Sequence, residues 1–319
     1  MNAQGGVYST ALQAACFVGN EAIVHMLLAA GAKINIEPVG CFGTALQAGA
    51  FRAHETIVRL LLQAGARVND VGGDYGSALQ AVSFGGGDGA HVVVQLLLDN
   101  GAQVNTDGGM CGMALRLSSE VGNEEVVRLL LENGADVNAQ GVSAWGGYLS
   151  TALQTASLQG YEAVVRLLLE NGANVNAQGG EFGKALQAAS LNGHEAVVRL
   201  LLENGADVNA KGGEFGNALQ AASDDGGHSW AEVRLLMEDR ADVSANEGKF
   251  GNALQAASLN GHEAVVRLLL ENGADVNAKG GEFGNALQAA SSKGHEAVVQ
   301  LLLENGADVN VQGRNYASK

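Results

Sequence analysis

Residues 191–223 read LNGHEAVVRLLLENGADVNAKGGEFGNALQAAS, and residues 259–291 read the same letters without one change. Looser copies fill most of the remaining chain. A chain built from one repeated segment is a stack of like supersecondary units, each burying its apolar face on the next. The tripeptide Ala-Leu-Gln measures the period. It starts at Ala11, Ala45, Ala78, Ala152, Ala185, Ala218, Ala253 and Ala286, and returns as Ala-Leu-Arg at Ala114. The intervals are 34, 33, 36, 38, 33, 33, 35 and 33 residues. This divides a single array of 1–319 into nine units, 5–38, 39–71, 72–107, 108–145, 146–178, 179–211, 212–247, 248–279 and 280–312, with a tail of 313–319.

The unit around Asn217 shows the local logic. Asn217 precedes a run of helix formers, Ala218 to Ser223, and an Asn there caps the free N–H groups of the first turn. Thr10, Thr44, Ser77, Thr151, Asn252 and Asn285 hold the same place. Met113 and Lys184 do not, so those two helices are expected to start less firmly. The first helix should stop near the Gly of Asn-Gly-His, as at Gly193. The second, Glu195 to Asn204, carries Val197, Val198, Leu200, Leu201 and Leu202. It is apolar on more than one side, so neighbours must cover both flanks. Gly205 ends it with a left-handed cap, and 206–213 form an extended turn leading to the next cap. Helices of about ten residues are marginal alone. The predicted fold is therefore all-α: a solenoid of helix-turn-helix units with protruding turns.

Composition agrees. Apolar residues make up 47% of the chain but aromatics only 5%, so the core is read as thin layers of Leu, Val and Ala. Forty-six Gly against one Pro fit a chain that turns often and needs positive φ at helix ends. Three places break the period. Three extra residues enter near Phe84 to Gly89, between two helices; five enter the turn Gly141 to Tyr148, which carries Trp145; two enter near Asp224 to Trp230. In the helix after the last break, Glu232 replaces a Val.

At this level the unit resembles the ankyrin repeat. Gly193-His194, Val197-Val198-Arg199-Leu200-Leu201-Leu202 and Gly205-Ala206-Asp207-Val208-Asn209-Ala210 match that family's consensus directly, and the match recurs from Gly5 to Gln312. One region departs: Thr-Pro-Leu-His has become Asn/Thr-Ala-Leu-Gln, preceded by an aromatic (Tyr8, Phe42, Tyr75, Phe182, Phe215, Phe250 and Phe283). This variant looks like the ankyrin arrays of filamentous fungi, which often form the C-terminal sensor half of receptors with an NTPase domain. In the family, the His of that motif ties neighbouring turns by hydrogen bonds. Gln13, Gln47, Gln80, Gln154, Gln187, Gln220, Gln255 and Gln288 offer a donor and an acceptor for the same task. Arg116 cannot accept, so the fourth unit is expected to be joined differently. Met1 to Gly5 reads as the tail of an Asn-Ala-Gln-Gly turn, Val309 to Gly313 stops the same way, and neither end unit is rewritten as a polar cap. The expectation is a recognition region of a longer protein.

Catalytic chemistry finds no residues. His54, His194, His262 and His295 recur at one position and read as architectural. His194-Glu195 begins like H-E-x-x-H, but Val198 stands where the second ligand should be, and no metal is expected. Gly179 to Lys184 is one residue short of a phosphate loop and lacks its Ser/Thr. The cysteines Cys16, Cys41 and Cys111 are too few and scattered for a disulfide framework. No cofactor is expected. The formal charge of −16 argues against nucleic acid and anionic membrane surfaces. No apolar run reaches the roughly 18 residues of a membrane span, and nothing reads as a signal peptide. A reduced, cytoplasmic setting is expected, with the nucleus also open.

What differs between units is surface. The resemblance implies that a protein partner meets the concave side, made of turn tips and the exposed edge of the first helix. The ends of the first helices carry Phe17-Val18, Phe51-Arg52 and Phe84, a ladder one unit apart that either anchors a partner or packs on itself to close the groove. The turn tips carry Asp74, Met110, Tyr148, Glu181, Glu214, Lys249 and Glu282, with Trp145 in the inserted loop as a binding residue or a local plug. The sequence thus predicts a non-catalytic scaffold that binds another protein through its irregular first half. Its alternative is a structural spacer that self-associates end to end.

Overall fold

Most first helices begin at a capping side chain that the sequence places there, and in several the third residue completes the cap. Thr10 Oγ1 accepts from the Gln13 N–H at 3.2 Å, and Gln13 Oε1 accepts from the Thr10 N–H at 2.9 Å. Asn252 and Gln255 repeat the exchange at 2.9 and 2.8 Å. This is a capping box with Gln in the role of Glu. Lys184 has no acceptor to contribute, and there only one arm forms, from the Lys184 N–H to Gln187 Oε1 at 2.6 Å. Met113 makes no side-chain cap bond. Both helices nevertheless start in the same register as their relatives, because tertiary packing fixes them.

The computed structural model describes residues 8–106, 108, 113–142, 149–224, 230–246 and 248–310. Met110, Cys111, Trp145 and Tyr148, singled out from the sequence, lie outside them. The chain forms two compact units, one of residues 1–156 and 166–173, the other of 157–165 and 174–319.

The first unit contains α1 (Ala11–Val18), α2 (Glu21–Ala29), α3 (Ala45–Phe51), α4 (Glu55–Gln63), α5 (Ala78–Gly85), α6 (Ala90–Asp99), α7 (Ala114–Glu120) and α8 (Glu124–Glu132). First helices pack on first helices (α1 on α3, α3 on α5, α5 on α7) and second helices on second helices. Their Ala-rich faces let the first helices approach closely. Val24, Leu61, Leu97 and Leu130, one per second helix, are fully buried. The turn that the sequence shows enlarged is closed at its base by β1 (Gly141–Val142) and β2 (Leu149–Ser150), an antiparallel ribbon of two residues a side. It is a small exception to an otherwise all-α chain. Residues of α9 (Ala152–Gln159) and α10 (Glu162–Glu170) are divided between the two units.

The second unit holds α11 (Ala185–Leu191), α12 (Glu195–Glu203), α13 (Ala218–Asp224), α14 (Trp230–Glu238), α15 (Ala253–Asn260), α16 (Glu263–Glu271), α17 (Ala286–Lys293) and α18 (Glu296–Glu304). It stacks by the same rule. Leu201, Leu236, Leu269 and Leu302 form its buried row. On the opposite face of the second helices, Arg59, Arg128, Arg199 and Arg267 pair with a Glu one turn back at 2.6–3.0 Å. These pairs are about half exposed and each contributes roughly 0.3–0.5 kcal/mol.

Three polar ties hold successive helix pairs in register. The Gln of the capping box points its amide into the next turn: Gln187 Nε2 donates to the carbonyls of Ala210, Gly212 and Gly216 at 3.1, 3.0 and 2.9 Å. The recurring His reaches back, with His54, His194 and His295 Nε2 lying 3.1, 3.0 and 2.9 Å from the carbonyls of Phe17, Leu158 and Leu259. The third tie was not anticipated from the sequence. The Asn of Val-Asn clamps the end of the next second helix. Asn176 Nδ2 donates to the Gly205 carbonyl at 3.0 Å, and its Oδ1 accepts from the Asp207 N–H at 2.9 Å.

Second helices end one residue earlier than expected, at Glu203 in the unit quoted first, with Asn204 as the cap and Gly205 just beyond it at φ +82°. Every second helix has Gly at that left-handed position except α14, where Arg240 sits at φ +67°. A left-handed L-residue costs roughly 1–2 kcal/mol. Arg240→Gly should therefore raise unfolding stability by about 1 kcal/mol. Urea unfolding of the two proteins checks this; an unchanged midpoint would mean that Arg240 is compensated elsewhere.

Candidate functional site

The backbone strings the turn tips together before any side chain is considered. The Asp74 N–H donates to the Cys41 carbonyl at 2.8 Å. In the second unit the N–H groups of Glu214, Lys249 and Glu282 donate to the carbonyls of Glu181, Glu214 and Lys249 at 3.2, 3.2 and 3.3 Å. Each tip side chain is thereby held on a fixed rung.

In the first unit this edge is aromatic. Phe17, Phe51 and Phe84, at the ends of α1, α3 and α5, are half-buried, as are the turn residues Tyr8, Phe42 and Tyr75. The two rows interlock. Ring centroids are 5.1 Å apart for Tyr8–Phe17, 4.6 Å for Phe17–Phe42, 5.3 Å for Phe42–Phe51, 4.6 Å for Phe51–Tyr75 and 5.7 Å for Tyr75–Phe84. Tilted and offset rings at these spacings are favourable aromatic contacts. The ladder therefore does pack on itself, but mainly through turn aromatics rather than through one Phe on the next. A clue lies in the sequence: Tyr8 and Phe17, Phe42 and Phe51, Tyr75 and Phe84 are each nine apart. The Gly-rich insertion serves this packing, since a Cβ on Gly85 would lie 2.4 Å from the Phe51 ring.

Charged groups flank the ladder. The exposed Arg52 guanidinium lies 5.3 Å from the Phe17 ring centroid, a cation–π contact. Val18 beside it is 69% exposed. A hydrogen bond to the Asp74 carboxylate, with its negative charge, pushes the Cys41 thiol above its ordinary range. Cys16 sits in the core, where burial pushes its thiol up to about 12 and leaves it inert.

In the second unit the same edge carries charge. Glu181, Glu214, Lys249 and Glu282 are exposed on successive rungs. Lys249 Nζ bonds Glu214 Oε1 at 2.8 Å, which raises the lysine's pKa, and it also lies 5.4 Å from the Phe250 ring. Phe215 and Phe250 are 6.3 Å apart, but the positions nine residues on are Asp224 and Leu259, so no second row forms.

The fourth unit keeps its own arrangement. Arg116, in the Gln place, is buried and donates from Nη1 to Glu120 Oε2 at 2.8 Å, and its aliphatic stem lies against Gly141. As expected from its chemistry, it does not reproduce the capping box. Among the described residues, no group of three or more His, Cys, Asp or Glu is placed to hold a metal ion. No described helix is long and apolar enough to cross a membrane.

Comparison with known proteins adds the following. A family model described as "Ankyrin repeats (3 copies)" matches residues 142–212 and 218–313, more than half of the chain. The single "Ankyrin repeat" model matches 8–37 and 114–142. No curated protein matches. The crystal structure of the human ASB11 ankyrin repeat domain is similar in fold, with a TM-score of 0.60 at 23% identity over 71% of this chain and 97% of that one.

Proposed function

Because the chain belongs to the ankyrin-repeat family, generally a non-catalytic interaction module, we propose that it binds a protein partner along the concave side of its first unit. The observation that carries this reading is the interlocked ladder of Tyr8, Phe17, Phe42, Phe51, Tyr75 and Phe84. It is rigid because each ring is wedged by others, and each stays half-exposed. Rigid aromatic surface loses little entropy on docking and is enriched at interface hot spots. Arg52, Val18 and Asp74 form its rim. In the second unit, Glu181, Glu214, Lys249 and Glu282 supply charge that sets partner orientation.

The packing dictates the test. Ala at Phe17, Phe51 and Phe84 would strip support from the turn aromatics, so a loss of binding would be ambiguous. The triple Leu variant keeps apolar volume and removes the flat faces. Capture of partners from native lysate should fall at least about tenfold with the far-UV helical signal unchanged. Undiminished capture would sink the proposal.

A further inference from the structure

The junction between α13–α14 and α15–α16 is built unlike its neighbours, and most of its departures fall on the second helix and the turn after it. On the tip side it keeps its ties. Gln220 Nε2 donates to the carbonyls of Ala245 and Gly251 at 3.0 and 2.5 Å. At the far end of the first helix, where Asn192 and His194 share the Leu158 carbonyl in an earlier pair, Asn260 Nδ2 donates to the Asp224 carbonyl at 3.0 Å and to its carboxylate at 2.7 Å. The Lys249–Glu214 ion pair and the Phe215–Phe250 contact cross the same junction.

On the second-helix side both polar ties are missing. Ser244 stands where the clamping Asn should be. Its hydroxyl donates to Asp242 Oδ1 at 2.6 Å, within its own turn, and is too short to reach the next pair. At the flanking junctions the clamp is whole: Asn209 holds Arg240 and Asp242 at 3.3 and 2.7 Å, and Asn277 holds Gly306 and Asp308 at 3.1 and 2.8 Å. His262, in the place of the recurring His, has a buried Nε2 with no hydrogen-bond partner. A polar tie lost in this way also leaves the cost of a desolvated group.

The side chains on that side differ as well. Trp230 replaces the first-turn Glu of the second helix. Arg234 therefore lacks its usual partner, lies over the indole at 5.6 Å and pairs forward with Glu238. Between Trp230 and the α16 residues Glu263, Ala264, Arg267, Leu268 and Glu271 lies a groove of about 520 Å³. Inside, the Glu232 carboxylate occupies a buried Val slot, and Arg240 holds the left-handed position reserved elsewhere for Gly. Ser244, Arg240, Glu232 and Trp230 are four separate substitutions within one helix pair and its following turn.

We infer that this junction is a one-sided hinge: α14 and α16 part at the Trp230 groove, while the tip side, held by Gln220 and the Glu214–Lys249 pair, acts as the pivot. The motion lets α15–α18 tilt against α11–α14 without breaking the string of turn tips. The proposal is independent of the aromatic ladder, which lies in the other unit.

Hydrogen exchange on the full chain tests it by region. Amides of α14, of α16 and of the turn 239–244 should exchange at least about tenfold faster than those of α12, while α13 is protected like α11 and α15. Ser244→Asn, which restores the clamp, should slow α14 and that turn about tenfold and leave α13 unchanged. A pair of variants needs no restored geometry. His262→Ala should change exchange less than about twofold, because that ring makes no bond, whereas His295→Ala should speed α18 about fivefold or more. Equal exchange in α12, α14 and α16 overturns the hinge. So does equally fast exchange in α13 and α14, which would mean that the whole pair opens. Equal effects of the two His variants would also overturn it.

Discussion

Gln187→Ala is expected to destabilise the second unit by about 3–5 kcal/mol, since each buried polar group left unsatisfied costs roughly 1–3 kcal/mol. The side chain is buried and serves four backbone groups: it accepts from Lys184 N–H and donates to the carbonyls of Ala210, Gly212 and Gly216. Alanine removes the acceptor and both amide hydrogens, which the three carbonyls share; the Gly216 carbonyl keeps its bond from the Gly212 N–H at 2.8 Å, while the carbonyls of Ala210 and Gly212 lose the side-chain donor. Urea unfolding of the full chain, followed by exchange at the Ala210–Gly216 turn, measures the loss. Because a repeat array can unfold in parts, the turn should open before α12. A loss under about 1 kcal/mol would mean that these carbonyls find other partners. Gln187→Glu sharpens the point. It keeps the acceptor for Lys184 but turns a carboxylate toward three carbonyl oxygens. That environment favours the protonated form, so the folded pKa of the new carboxyl lies above its unfolded value of about 4.3. The variant should hold stability below that pH and lose it as pH rises through the raised folded pKa.

Arg116→Ala is expected to cost about 3 kcal/mol, at the lower end of what breaking a buried ion pair costs. Arg116 is 2% exposed and its partner Glu120 13%, so a little solvent eases the abandoned carboxylate. Arg116→Gln should not rescue the loss, although it restores the residue found in every related unit, because Glu120 would still be left without its counter-charge. Replacing both residues by Leu should recover most of the stability, to within about 1 kcal/mol. Thermal melts of the three variants decide. If Gln at position 116 alone restores stability, the tie to the next turn matters more than the ion pair.

These two expectations differ in how much of them was open to sequence reading. The Gln were readable as inter-turn ties because the resemblance gives that task to the residue in their place and an amide offers both a donor and an acceptor, and Arg116 was readable as an exception because a guanidinium cannot accept. That Gln also closes a capping box, and that Arg116 turns to Glu120, needed the helix register. The Phe ladder was visible as three phenylalanines one unit apart, yet Phe17 and Phe51 are each wedged between the turn aromatic nine residues earlier and that of the next turn. The Asn clamp escaped notice because an Asn in a turn already has a local explanation. The hinge was half legible: Glu232 and the Asp224–Trp230 break stand out in the sequence, whereas Ser244 means nothing until the clamp is seen.

The sequence by itself determined the period, the helix-turn-helix unit, the caps and the left-handed glycines, because these rest on interactions within a few residues of each other. Caps join residues three apart, and helix pairs join residues four apart. Tertiary structure decided which side chains from different units meet, and so which junctions are firm and which can open. Those contacts join residues about 23–37 apart through stacking. Stacking register is set by the summed burial of Leu, Val and Ala layers. One repeated sequence can therefore specify every unit alike, while the differences between junctions appear only once the layers are laid on one another.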